Sequence, residues 1–323
     1  MNPIKWGIIG CGDVTEVKSG PALQKARDSE LIAVMRRNGE LAADYAKRHK
    51  VPRFYNNALQ LINDPDVDAV YIATPPDSHA SYTKAVALAG KPVYVEKPMA
   101  RTYAECRTMV DVCKTNNIPL FVAYYRRALP YFLKIKELVN ENTIGTVHKV
   151  QITLRKPHLT ASIATTPWRL IKRISGGGLF FDLACHQFDL LDFIFGPILT
   201  SQGHATNNGG FYKVEDTVTA SFEFATGLTG NGEWCFCSNG FEDNIHLTGS
   251  TGSISFSMFD FKPIKLEKNG QTKFFVAHMP NHIQQPLIQI ITDSLTRGIQ
   301  CPSTGESAAR TNKVMETIID HQN

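Results

Sequence analysis

The sequence predicts a doubly wound α/β domain followed by an α+β domain, and two observations carry this. Up to about residue 123, short apolar runs alternate with helix-length amphipathic stretches; beyond it, apolar residues recur at every second position. The apolar runs are residues 4–9, 31–35, 69–72, 92–95 and 120–123, and each is apolar enough to be buried on both faces. Such runs suit a parallel sheet covered by crossover helices, for which residues 39–49, 78–89 and 102–116 have the right length and pattern.

In the second half, Val218, Ala220, Phe222 and Phe224 alternate with Thr217, Thr219, Ser221 and Glu223. Val150, Ile152 and Leu154 alternate likewise with Gln151, Thr153 and Arg155, which is the pattern of antiparallel strands with one packed face. Further short strands are expected at 233–236, 245–248, 253–257 and 273–276, with turns at Thr251-Gly252 and Asn269-Gly270. A final helix follows Thr304, whose hydroxyl suits the N-cap. The expected boundaries are 1–123 for the first domain and 124–323 for the second, with the last helix packing back on the first. Thr, Ser and Gln dominate the outer face of the second sheet, which favours self-association into a homodimer or homotetramer.

Composition narrows the classes. Hydrophobic residues at 43% and charged residues at 20% describe an ordinary globular chain, not a disordered or disulfide-dense one. Lys and Arg total 34 against 30 Asp and Glu, and no long block of like charge occurs, so nucleic acid and anionic membranes are not expected partners. The seven cysteines read as reduced thiols. A glycine-rich turn begins by Gly10, which leaves no room for a signal peptide, and no apolar run is long enough to span a bilayer; the expected location is the cytoplasm.

Directly after the first strand stands Gly10-Cys11-Gly12-Asp13-Val14-Thr15. A G-x-G turn in this place lets backbone amides approach a pyrophosphate, because no side chain intervenes. Thr15 occupies the place of the third small residue, and Gly20-Pro21 interrupts the following helix. At the end of the second strand, where a ribose-binding carboxylate is usual, the chain reads Met35-Arg36-Arg37-Asn38. A guanidinium pairs with a 2'-phosphate rather than accepting from a 2'-hydroxyl, so NADP is expected, with NAD as the alternative.

Glu96-Lys97-Pro98 follows the fourth apolar run, at the sheet edge where such folds bind ligands. An ammonium there can hydrogen-bond a carbonyl or alcohol oxygen. In the second half, Asp182 and His186 stand four apart on a stretch read as a helix that follows Gly176-Gly177-Gly178, so both project from one face. A histidine beside a carboxylate suits proton exchange near neutral pH. His204, His246, His278 and His282 are scattered, and the one pair at i,i+4 spacing, His278 and His282, is interrupted by Pro280, so no metal is expected.

These motifs in this order resemble the glucose-fructose oxidoreductase and inositol dehydrogenase family, also called Gfo/Idh/MocA. The resemblance rests on Gly10-Cys11-Gly12, on Ala73-Thr74-Pro75-Pro76 with His79, on Val93-Tyr94-Val95-Glu96-Lys97-Pro98, on Trp168-Arg169, and on the Gly-Gly-Gly segment ending at His186. It implies a Rossmann domain followed by an α+β domain with a large, mostly antiparallel open sheet. It also implies Lys97, Asp182 and His186 as the catalytic set. The implied cofactor contacts are Gly10, Gly12, Asp13, Val14, Arg36, Arg37, Ala73, Thr74, Pro75, Pro76, His79, Glu96 and Lys97. Tyr125 and Arg126, after the fifth run, together with Trp168 and Arg169, are the implied substrate contacts. The expected reaction is hydride transfer between nicotinamide C4 and a carbinol or carbonyl carbon of a small carbohydrate, in a cleft between the domains. A glycosidase using its cofactor transiently and a non-catalytic dinucleotide sensor are the alternatives on this scaffold.

Overall fold

A computed structural model describes residues 2–159 and 166–320. The chain forms two compact units, Met1–Leu129 with Pro280–Ala309, and Pro130–Met279 with Arg310–Asn323.

The first unit holds one parallel sheet of six strands: β1 (Ile4–Ile9), β2 (Ser29–Met35), β3 (Arg53–Tyr55), β4 (Ala69–Ile72), β5 (Val93–Val95) and β6 (Leu120–Val122). Their order is β3-β2-β1-β4-β5-β6, so the winding reverses between β1 and β4, the place where such sheets open a ligand crevice at their carboxyl ends. Ile8, Ile9, Val70, Ile72, Val93 and Val95 are fully buried, as runs covered on both faces must be. The sequence missed β3, a short edge strand whose Arg53-Phe54-Tyr55 is mostly exposed and carries no apolar run. The stretch leading to Tyr125 therefore follows the sixth strand, not the fifth. The helices are α1 (Gly20–Lys25), α2 (Gly39–His49), α3 (Ala58–Ile62), α4 (His79–Leu88) and α5 (Tyr103–Thr115). Side-chain caps set three of the starts: Leu41 N–H donates to Asn38 Oδ1 at 3.1 Å, Leu59 N–H to Asn57 Oδ1 at 2.8 Å, and Glu105 N–H to Thr102 Oγ1 at 3.2 Å.

The second unit contains α6 (Pro130–Asn140), β7 (Val147–Arg155), α7 (Lys172–Ser175), α8 (Gly178–Phe195), and then β8 (Ile198–Thr206), β9 (Thr217–Phe224), β10 (Thr229–Cys235), β11 (Glu242–Gly249), β12 (Gly252–Phe256), β13 (Ile264–Lys268) and β14 (Gln271–Phe275). These strands make one open sheet in the order β14-β13-β12-β11-β7-β10-β9-β8. Only the β7/β10 pair is parallel. Along β9 and β7 the predicted alternation holds, with Val218, Phe222, Phe224, Val150 and Leu154 on the packed face. Trp234 of β10 meets that side of α8, its indole N–H donating to Gln187 Oε1 at 2.6 Å.

The chain then enters α9 (Gln285–Arg297) in the first unit, burying Leu287, Ile288 and Ile291 completely. Helix α10 (Gly305–Asp320) ends the described chain. Ser307 N–H donates to Thr304 Oγ1 at 3.3 Å, the predicted cap, and Arg310 forks onto the buried Asp192 carboxylate with both bonds at 2.8 Å.

Candidate active site

At the end of β1 the chain turns at Gly10, with φ +91°, and its amide and that of Cys11 both donate to Met35 O at the end of β2, at 2.8 and 3.2 Å. A Cβ on Gly10 would lie 2.7 Å from Thr74 Cγ2 and 3.0 Å from Thr74 N, so the turn is in contact with the loop after β4. Gly12 differs: a Cβ there would find only Gly10 O, at 3.9 Å. The protein itself leaves that side open, which fits a turn whose glycine makes room for a pyrophosphate. Cys11 points inward, and burial pushes its thiol up to about 11.

Thr15 has a definite place. It is fully buried, its hydroxyl donates to Gly12 O at 2.7 Å, and the Tyr45 hydroxyl donates to Thr15 O at 2.9 Å. The expected interruption at Gly20-Pro21 is absent. Residues Thr15–Ser19 form a π-turn that runs on into α1, with Pro21 in the first turn of α1. A side chain at position 20 would stand 2.3 Å from the Tyr45 hydroxyl and 2.4 Å from Thr15 O, so Gly20 lets this segment lie close against α2.

Beyond β2, Arg36 and Arg37 are exposed, and Arg36 Nη1 lies 3.5 Å from Cys11 O, beside the glycine turn. Asn38 is committed to capping α2. Asp13 is exposed and Val14 half-buried on the turn itself.

The loops after β4 and β5 form the opposite wall of this site. Ala73 N–H donates to Ile9 O at 2.8 Å, and Ser78 Oγ donates to Thr74 Oγ1 at 2.7 Å, with Pro75 and Pro76 between them. His79 is fully buried, with Nε2 2.7 Å from Thr74 O and Nδ1 3.1 Å from Met99 O, so one imidazole joins both loops. Burial holds it below the usual imidazole range, outweighing those carbonyls, which pull the other way. Glu96 is also buried: Oε1 accepts from the Tyr71 hydroxyl at 2.6 Å and from Gln284 Nε2 at 2.8 Å, while Oε2 accepts from Lys97 N–H at 3.1 Å. Lys97 is half-buried, and its bond to Pro98 is cis. Glu96 and His79 thus support the site from beneath, and Lys97 is the residue they frame. After β6, Tyr125 and Arg126 are 7% and 4% exposed, with the guanidinium 5.0 Å from the centre of the Tyr125 ring. They present little surface.

In the second unit, Asp182 and His186 lie one turn apart on α8, 8% and 4% exposed. Arg169 Nε donates to Asp182 Oδ2 at 3.0 Å, and its guanidinium lies 4.4 Å from the centre of the Trp168 ring. The predicted motifs Trp168-Arg169 and Asp182 are therefore one assembly. Phe259 meets the His186 ring edge-on, with centroids 6.0 Å apart. Asp243 holds that loop by accepting from the amides of Met258, Phe259 and Asp260 at 3.1, 2.6 and 3.2 Å. Among the described residues, no group of three or more His, Cys, Asp or Glu is placed to hold a metal.

Sequence reasoning missed Gln284, Tyr71, Phe259 and Asp243. Tyr71 lay inside an apolar run and read as core. A single Gln or Phe in a loop, or an Asp near the start of a strand, carries no pattern that links it to a site distant in sequence.

A switch-point crevice, a glycine turn open on its outer side and a supported lysine define a dinucleotide-binding α/β protein joined to an open-sheet unit. The chain belongs to the Gfo/Idh/MocA oxidoreductase family: the model of its NAD-binding Rossmann fold matches residues 4–124, and that of the family's C-terminal domain matches residues 132–255. An oxidoreductase of Formosa agariphila is 40% identical over 318 residues, 98% of each chain. A 1,5-anhydro-D-fructose reductase of Ensifer adhaerens is 28% identical over 77% of this chain and 74% of that one. Among solved structures, a levoglucosan dehydrogenase in complex with NADH and levoglucosan shares the fold with a TM-score of 0.88 at 23% identity, covering 98% of this chain and 96% of that one.

Proposed function

We propose that the chain is a nicotinamide-dependent dehydrogenase or reductase acting on a carbinol or carbonyl carbon of a sugar, polyol or related carbohydrate, with NADP preferred over NAD. The observation that carries this reading is the Lys97 loop, where a buried carboxylate and a buried imidazole hold an ammonium-bearing residue at the carboxyl end of β5. When bound, a nicotinamide dinucleotide supplies the hydride acceptor or donor at C4. Gly12 leaves room for its pyrophosphate on the turn that Gly10 begins, with Asp13 and Val14 on the same turn, and Ala73, Thr74, Pro75 and Pro76 form the wall opposite. Lys97 hydrogen-bonds the substrate oxygen and stabilises charge developing there. His186 gives or takes the proton on that oxygen, and Asp182, steadied by Arg169, orients His186 or a second substrate hydroxyl. Trp168 offers a ring for the apolar face of a sugar, and Tyr125 and Arg126 are the further proposed substrate contacts.

A carbohydrate substrate is supported by the named activities of relatives, a 1,5-anhydro-D-fructose reductase and a levoglucosan dehydrogenase among them. The preference for NADP rests on Arg36 and Arg37, which put two guanidinium groups where an NAD site usually places a carboxylate. Dissociation constants for NADPH and NADH test it, and equal or tighter NADH binding rejects it. The outer face of the second sheet, with Thr219, Ser221, Gln151 and Gln202 exposed or half-exposed, is the proposed contact between copies in a dimer or tetramer. A monomer in sedimentation at micromolar concentration rejects that. Turnover of Lys97→Ala, Asp182→Asn and His186→Ala tests the catalytic assignment, with loss of activity and retained cofactor binding expected.

A further inference from the structure

The segment that returns to the first unit before α9 reaches the Lys97 loop from behind. Gln284 is fully buried, its Oε1 accepts from the Tyr94 hydroxyl at 3.0 Å, and its Nε2 donates to Glu96 Oε1 at 2.8 Å. The Glu96 carboxylate fixes which end of the amide faces it: having only acceptors, it takes the Nε2 donor and leaves Oε1 to accept from the Tyr94 hydroxyl. Tyr94 lies under Tyr71, the rings stacked with centroids 4.6 Å apart, and Tyr71 supplies the second donor to the same Glu96 oxygen. The other oxygen is left for Lys97 N–H, at 3.1 Å. A carboxylate taking three donors from three directions has little rotational freedom, and in a buried setting each bond is costly to lose.

The same segment grips the glycine-turn side. His282 Nδ1 lies 2.9 Å from Val17 O in the π-turn, and Nε2 lies 2.7 Å from Lys25 Nζ. An ammonium only donates, so Nε2 accepts and Nδ1–H donates to Val17 O. Within three residues the chain touches both walls of the nucleotide site.

We propose that Gln284 is a positioning residue for Lys97: through Glu96 it fixes the backbone from which the ammonium projects, and it does so without touching cofactor or substrate. The functional meaning of this clamp rests on the reading of Lys97 given above. Sequence gave no hint of it, because Gln284 and Lys97 are far apart in the chain and join only through two buried side chains.

Backbone amide exchange followed by NMR on the full chain tests it directly. In Gln284→Met, which keeps the volume but removes both polar atoms, the Lys97 amide should exchange at least about tenfold faster than in wild type. The Val70 and Val93 amides, bonded to Pro92 O and Pro119 O in the same sheet, should keep their rates. A merely structural role would speed all three together through global stability, and that result, or an unchanged Lys97 amide, overturns the proposal. Should Gln284→Met fail to fold, Tyr94→Phe decides by the same comparison; it removes one hydroxyl, and a local acceleration of about threefold is expected. Wild-type turnover in Lys97→Ala overturns the site reading instead, and with it the catalytic meaning of the clamp, whatever the exchange rates show.

Discussion

Arg169 and Asp182 form a single unit: Nε donates to Oδ2 at 3.0 Å while the guanidinium stacks on Trp168. Asp182 lies one helical turn from His186, so the stacked arginine fixes the carboxylate that stands beside the proposed proton carrier.

Removing that arginine should affect chemistry more than folding. Arg169 is 44% exposed, so its ion pair adds about 1 kcal/mol or less to stability. Arg169→Leu should lower kcat about tenfold with a small change in Tm, since a misaligned acid–base group costs catalysis directly. Arg169→Lys should fall between, keeping the charge but losing the planar stack. Steady-state kinetics beside a thermal melt check both; a large Tm drop with unchanged kcat would make the pair structural only.

The two glycines of the turn should separate fold from ligand. Gly10→Ala meets Thr74 at 2.7 Å in a left-handed backbone and should destabilise by about 1–2 kcal/mol. Gly12→Ala meets nothing nearer than 3.9 Å, so it should leave Tm unchanged while weakening NADPH binding at least about tenfold through a clash with the pyrophosphate. Denaturation and fluorescence titration of the two variants give the comparison. Unaltered NADPH affinity in Gly12→Ala would place the dinucleotide elsewhere.

Where physics is local, the sequence was legible. The runs at 4–9 and 69–72 and the helix at 39–49 match their observed elements to the residue, because burial on both faces and a cap at Asn38 leave a pattern in adjacent positions. β3, β8 and β13 escaped notice for the converse reason: an exposed edge strand and strands that mix Gly, His and Lys into their alternation carry no clear period. Lys97, Asp182 and His186 could be singled out as chemistry-bearing residues in ordered motifs. Glu96 stood in one of those motifs, but its clamp could not be read, since Tyr71 and Tyr94 read as core and Gln284 is a single glutamine in a loop.

Acid should lower the stability of the protein in two separable pH windows. His79 is held below the usual imidazole range by burial, so the unfolded chain takes up a proton near pH 6.5 while the folded one resists until lower pH. Its contribution is present above about pH 6.5 and lost as the pH falls below that. The Arg48 guanidinium, bonded to Glu16 at 2.7 Å, holds that carboxyl down to about 2, so its contribution is present above about pH 4.5 and lost between there and pH 2. Urea denaturation against pH should show both limbs, with His79→Gln removing the upper and Glu16→Gln the lower. A profile unchanged by either substitution contradicts the assignment.

Nicotinamide absorbance measured across aldoses, ketoses, inositols and dicarbonyl sugars, with both cofactors and in both directions, tests the central claim most directly. The prediction is a net change in reduced cofactor, matched in amount to substrate converted, that is lost in Lys97→Ala and in His186→Ala although both variants still bind NADPH. Sugar released from a glycoside with no net change in cofactor, or full activity in either variant, would contradict it.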